Sequence, residues 1–237
     1  MKTSSPRIRG FSLIELMIVV FIIGIIAAFV VPATSTILRG SQLQQGSQTL
    51  YDQISLARQY ALSKNHPVEV RFIRYADPET PGEAAQGGGP GDPSVGNYRA
   101  IQIFETLDAI DSLTNDFVRV PIDKPALLPQ AIIMNKGLLS TLVSQVSTPP
   151  GAPSNGTPTS RDAQLPRGVG TRYDYVSFRF LPDGSTNLPQ TGTAWCVTLC
   201  NINDIVTGST PPPNFYTIQI DPVSGVMKQY RPGLAPQ

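Results

Sequence analysis

One histidine, two cysteines and one tryptophan in 237 residues leave little raw material for metal or nucleophilic chemistry. A zinc site on Cys196 and Cys200 needs two further ligands, which a chain whose only histidine is His66 does not easily supply. His66 has Glu69 as its only sequence-local partner, and beside Pro67 it reads as a helix-end cation suited to the negative helix pole. Charge is also scarce. Only 15% of residues are Asp, Glu, Lys or Arg, and the formal net charge is +1. Arg172, Lys228 and Arg231 are scattered cations, a poor footprint for nucleic acid. Gly87-Gly-Gly89-Pro-Gly91 is no phosphate loop, because neither the Lys-Ser/Thr pair nor a strand-to-helix setting follows it. No repeat of 20 to 50 residues is present, which excludes a solenoid. No paired acids, triad or metal cluster stands out, so the composition argues against an enzyme and for no cofactor.

Proline (23) and glycine (20) are abundant, a combination that fits a loop-rich β domain. Against that background one stretch stands apart. Residues 11 to 31 are apolar except for Glu15 and Ser12. A helix of roughly 20 such residues crosses a bilayer core of about 30 Å. The preceding Met1–Gly10 carries Lys2, Arg7 and Arg9 and no acid, which holds a leader on the cytoplasmic side. Removing those three cations leaves 15 Lys and Arg against 17 Asp and Glu.

Glu15 needs an explanation, since a carboxylate in lipid is costly. A cut after Gly10 frees an amine at Phe11, about 6 Å from Glu15 along a helix. The two groups then neutralise each other, within one chain or between neighbours staggered by a turn. Two alternatives stay open. Val31-Pro-Ala33 offers small residues to an ordinary signal peptidase, which leaves Glu15 unexplained. An uncleaved anchor leaves Gly10-Phe11 unexplained.

Gly10-Phe-Ser-Leu-Ile-Glu15-Leu before an apolar helix resembles the class III signal of type IV pilins and type II secretion pseudopilins. The resemblance implies cleavage between Gly10 and Phe11 by a prepilin peptidase, methylation of the Phe11 amine, and Glu15 as the filament-assembly residue. It also implies other pilin or pseudopilin subunits as partners. The chain would be held in a bacterial inner membrane by a single pass, its head extracytoplasmic, in the periplasm or on a filament. Gly24 and Pro32 match positions where helices of that family carry Gly and Pro.

Beyond Pro32, Ile37, Leu43, Leu50, Ile54, Ala57 and Ala61 recur at mostly three-, four- and seven-residue intervals, opposite Gln42, Gln45, Gln48, Asp52 and Arg58. That is an amphipathic helix over 32–65, stopping near Asn65 because His66-Pro67 disfavours continuation. The pattern then changes to period two. Pro67 to Tyr75 and Tyr98 to Glu105 read as a hairpin across a Pro/Gly-rich loop at 77–97. Asp77, Glu79, Glu83 and Asp92 in that loop lack calcium-loop spacing and read as solvated charge. Phe117–Val120 and Ala131–Met134 look like short strands, and Leu138–Val143 like a helical turn. Residues 148–170 read as loop, and the Asn155-Gly-Thr157 sequon inside them carries little weight. Tyr173–Phe180 is expected to turn at Pro182-Asp-Gly184 and return as Thr193–Cys200, and Phe215–Ile220 with Val226–Tyr230 to close a hairpin. In one extended strand Cys196 and Cys200 would stand about 13 Å apart, too far to bridge. A disulfide needs the strand to end early; the alternative is two small buried thiols.

The expected fold is α+β, a long N-terminal helix packed on an antiparallel sheet. Its organisation is leader 1–10, transmembrane and assembly half 11–31, amphipathic half 32–65, and β-rich head 66–237 with long loops 77–97 and 148–170. Phe178-Arg-Phe-Leu-Pro-Asp-Gly184 and Asp221-Pro-Val-Ser-Gly-Val226 make the head similar to the GspH/FimT branch of minor pilins. Asn65-His-Pro-Val-Glu-Val-Arg-Phe72 and Tyr98-Arg-Ala-Ile-Gln102 are similar to the Verru_Chthon cassette protein D group. The functional expectation is a structural minor pilin or pseudopilin of a type IV pilus-like or type II secretion filament. The alternative is a membrane-anchored extracytoplasmic binding module that does not polymerise.

Overall fold

The computed structural model describes residues 12–80, 83, 95–112, 116–136, 139–144, 153–159, 162, 164–190, 192, 194–204 and 211–231, with the side chains of 28–37, 111 and 116 outside that description. Helix α1 runs over Leu13–Lys64. The chain divides into two compact units, Met1–Gly40 and Ser41–Gln237.

In the first unit the side chains of 13–27 on α1 are almost all apolar and all exposed: Leu13 is 78% exposed, Phe21 70% and Ile26 56%. A helix greasy all round has no single face to bury, so its burial must come from outside the chain. Among the described residues no helix is long and apolar enough to cross a membrane. Phe11 and the leader lie outside the described residues, as do the side chains of 28–31, which complete the expected span.

In the second unit the rest of α1 buries one stripe, Leu43, Leu50, Ile54, Ala57 and Ala61, against the sheet. Each leucine or isoleucine fully buried there stabilises by about 1.5–3 kcal/mol. The helix stops where the sequence indicates. Asn65 turns left-handed (φ 58°) and its N–H donates to Ala61 O at 3.0 Å, before His66 and Pro67 lead into the first strand.

The sheet is wholly antiparallel, with β1 Val68–Tyr75, β2 Asn97–Asp111, β3 Asp116–Pro121, β4 Ala126–Leu127, β5 Ile132–Met134, β6 Ser154–Gly156, β7 Asp174–Phe180, β8 Trp195–Asn201, β9 Phe215–Ile220 and β10 Met227–Tyr230. Their order is β10-β9-β8-β5-β2-β1-β7-β6, with β3 and β4 also on β2. The β1/β2 and β9/β10 hairpins form as their alternation indicates. A turn at 140–144 matches the expected helical turn, closed by Ser144 N–H to Ser140 O at 2.9 Å.

Two expectations are corrected. β8 is not the return strand of β7: β7 pairs β1 and β6, while β8 pairs β5 and β9. The turn after β7 is held elsewhere, since Thr186 donates from both its N–H and its hydroxyl to Pro222 O at 3.0 and 3.1 Å. Gly184 and Gly225 meet there so closely that a Cβ on Gly225 would stand 2.1 Å from Gly184 O. Arg58 of α1 closes the junction, donating to Ser224 O at 3.0 Å. Residues 148–170 are not loop throughout either, since Ser154–Gly156 is the edge strand β6 and Leu165 bridges Gly170.

Candidate functional site

The start of α1 is built by two residues. Glu15 N–H donates to Ser12 Oγ at 3.2 Å, and Ser12 N–H reaches back to Glu15 Oε2 at 3.4 Å. This reciprocal pair is a capping box, which satisfies backbone donors that a helix start leaves open. Its signature, Ser-x-x-Glu, stands in the sequence at 12–15, where the acid reads first as a liability in lipid. The cap holds the carboxylate at the Ser12 N–H, at the N-terminal end of α1. Gly10 and Phe11 themselves lie outside the described residues. The exposed Leu13, Ile14, Leu16 and Met17 follow the cap directly.

Cys196 and Cys200 are both free and both sit in β8. The bridge left open above does not form, because one extended strand keeps the two sulfurs apart. Burial pushes the Cys200 thiol up to about 11, so it is protonated and a poor nucleophile near neutral pH. Cys196 is half-buried, its Sγ 3.5 Å from Leu139 O. His66 finds its partner in β2, not at Glu69: Nδ1 lies 2.7 Å from Glu105 Oε1, and the Tyr60 hydroxyl donates to Glu105 Oε2 at 3.3 Å.

The side of the sheet away from α1 carries two buried ionic groups. Glu69 is 2% exposed and accepts from Arg71 Nε at 2.7 Å and Arg119 Nε at 2.6 Å, with Arg179 Nε 3.6 Å away. The Arg71 guanidinium lies between the rings of Phe104 and Tyr175, 4.2 and 4.1 Å from their centroids, and also donates to Asp162 at 2.6 Å. Burial alone would lower its pKa, but Glu69, Tyr175 and Asp162 outweigh it and the net direction is up.

The second group overturns the reading of Asp77 and Glu83 as solvated charge, since both are buried. The register of β1 and β2 steps from Ile73↔Ala100 to Arg74↔Tyr98, so Arg99 is the extra residue of a β-bulge. Bulging re-aims Arg99 toward Glu83 Oε1 at 2.6 Å and Gln130 O at 2.7 Å. Asp77 accepts from Arg167 at 3.1 Å, and Glu83 also accepts from the Asp77 N–H and the Asn97 amide. Burial, with Asp77 and Glu83 nearby, pushes the Tyr75 hydroxyl up to about 12. Glu79 remains exposed, and Asp92 lies outside the described residues. No group of acids, His and Cys among the described residues could hold a metal ion.

The sequence comparisons bear on the helix end. Residues 5–31 match the family described as the prokaryotic N-terminal methylation motif. The chain is 38% identical over 106 residues to the type IV major fimbrial protein FimA of Dichelobacter nodosus (strain VCS1703A), covering 43% of this chain and 54% of that protein. It is 36% identical over 111 residues to a fimbrial protein of Dichelobacter nodosus, covering 46% and 60%. The chain thus spans little more than half the length of the curated relatives it matches. No solved structure matches it. By motif and relatives, the chain is similar to type IV fimbrial proteins.

Proposed function

We propose that the chain is a structural subunit of a type IV pilus-like or type II secretion filament, a minor pilin or pseudopilin of the GspH/FimT branch close to the Verru_Chthon cassette protein D group. A prepilin peptidase cuts it between Gly10 and Phe11 and methylates Phe11. Residues 11–31 hold it in the inner membrane by a single pass until they join neighbouring subunits, and the head lies outside the cytoplasm. The carrying observation is that the methylation motif at 5–31 coincides with a capped helix start whose apolar side chains are open all round. Such a surface is stable only in lipid or against identical helices. Glu15, held at the N-terminal end of α1 by its cap, meets the Phe11 amine of a neighbour and sets the stagger.

A second reading, an anchored binding module that does not polymerise, is favoured by a cavity of about 440 Å³ in the head, lined by Trp195, Gln219, Asp221, Lys228 and Tyr230 among others. Two measurements separate them. Intact mass of the membrane-extracted chain is expected to begin at Phe11 with one added methyl. Glu15→Val is expected to insert and be cut normally but to disappear from sheared filaments. An uncut Met1 or a start at Thr34 refutes the processing, and undiminished co-assembly of the variant leaves the anchored module standing.

A further inference from the structure

At the β9/β10 hairpin a cavity opens beside the sheet face turned from α1. Tyr216, Ile218 and Ile220 of β9 belong to the core, so Gln219 between them points the other way. The register Lys228↔Gln219 and Tyr230↔Thr217 sets Lys228 and Tyr230 on that same face. Gln229 between them turns to α1 instead and donates to Ser47 Oγ at 2.6 Å. Gln219, Lys228 and Tyr230 line the cavity of about 440 Å³, together with Asp221, Pro222 and Val226 of the adjoining turn. That volume lies at the small end of ligand pockets, which span about 300–1,000 Å³.

The chemistry of the lining is mixed and unspent. Lys228 and Asp221 are its charges, one of each sign; Lys228 acts on the Asp221 carboxyl, yet the two form no ion pair among the described residues. Asp221 accepts from the Val223 N–H at 3.1 Å and the Ser224 hydroxyl at 2.6 Å, one bond to each oxygen, which leaves each a further lone pair. The side chains of Gln219, Lys228 and Tyr230 enter no hydrogen bond among the described residues. A charged ligand would meet one attractive and one repulsive partner here. A hydroxyl donates and accepts at once, so it serves Asp221 and Lys228 alike. The Tyr230 ring, with Pro222 and Val226, offers apolar surface for the C–H face of a ring that carries such hydroxyls.

We propose that this cavity is a binding site for a neutral hexopyranose, with Gln219, Lys228 and Asp221 on its hydroxyls and Tyr230 against its ring. The proposal rests on the same cavity as the anchored-module reading and names its ligand class; a filament subunit would carry the site equally. The probes are the methyl glycosides of glucose, galactose, mannose and N-acetylglucosamine, with methyl glucuronide as the charged comparison. Saturation-transfer NMR follows them on the full chain in a detergent without a sugar head group. Transfer is expected to at least one neutral glycoside along a saturable titration, and to exceed that to the glucuronide. Gln219→Ala is expected to weaken the affinity about fivefold, the worth of one hydrogen bond. Tyr230→Ala is expected to weaken it about tenfold or more, and Tyr230→Phe, which keeps the ring, by less. Both positions are only half-buried, so the variants are expected to fold. No transfer to any neutral glycoside, transfer undiminished in both Gln219→Ala and Tyr230→Ala, or a preference for the glucuronide overturns the proposal. The anchored module itself stands or falls on the co-assembly of Glu15→Val, so either reading can fail without the other.

Discussion

Replacing Glu69 by Gln tests whether the ionic group behind the sheet is a structural centre of the head. The carboxylate is 2% exposed and takes Nε–H from Arg71 at 2.7 Å and from Arg119 at 2.6 Å. Gln keeps the shape but removes the charge, and offers one acceptor oxygen where there were two. Its amide also points two donors at guanidiniums that are donors themselves. Arg71, 3% exposed, is then left with Asp162 as its charged partner. Removing one member of a buried pair typically costs about 3–5 kcal/mol, because the other charge stays buried uncompensated. That is a large share of a domain stability of about 5–15 kcal/mol. The assay is urea unfolding of a chain starting at Ser41, the boundary of the second unit. With an m-value of about 1–3 kcal/mol/M, the midpoint is expected to fall by at least about 1 M. Arg179→Met is the control. Its guanidinium is 31% exposed and 3.6 Å from Glu69, so its loss is expected to cost under about 1 kcal/mol. A Glu69→Gln cost no larger than that of Arg179→Met refutes the reasoning.

Gly225→Ala is expected to destabilise by several kcal/mol in the same assay, since φ is +62° and the new Cβ meets Gly184 O at 2.1 Å. Asp162 is shifted too. Burial would raise its pKa, but hydrogen bonds from Thr159 and the charge of Arg71 outweigh it, and the net direction is down from 3.8. Its contribution is therefore present above that unfolded value and lost as pH falls through the folded one, so wild type and Asp162→Asn should differ near neutrality and converge in acid, as read by urea midpoints against pH. Thiol labelling should find Cys200 unreactive in the native chain, Cys196 partly reactive, and two free thiols per chain once unfolded. A recovered disulfide contradicts the extended geometry of β8.

What was legible in the sequence was local. The stripe from Leu43 to Ala61, the stop at Asn65 and the alternation of β1, β2, β9 and β10 each follow from spacing within one segment, and all were found. The neighbours of β7 and β8 were not, because antiparallel pairing between distant strands leaves no mark in either strand's own period. The nearest turn suggested a hairpin, and the hold of Pro222 on Thr186 decided otherwise. Asp77 and Glu83 failed for a related reason. An acid among prolines and glycines reads as solvated until the bulge that turns Arg99 toward it is known, and a bulge is a mismatch between two strands. At the helix start Ser12-x-x-Glu15 spells a capping box, but a carboxylate in an apolar run reads as a membrane liability before it reads as a cap.

The junction at Asn65 has a mechanical consequence. The helix leads straight into β1, an interior strand held by β2 on one side and β7 on the other. Tension arriving along α1 therefore reaches the sheet at a strand that cannot be peeled away singly. Two ladders must part before it comes free, whereas β6 or β10, at the edges, each hang by one.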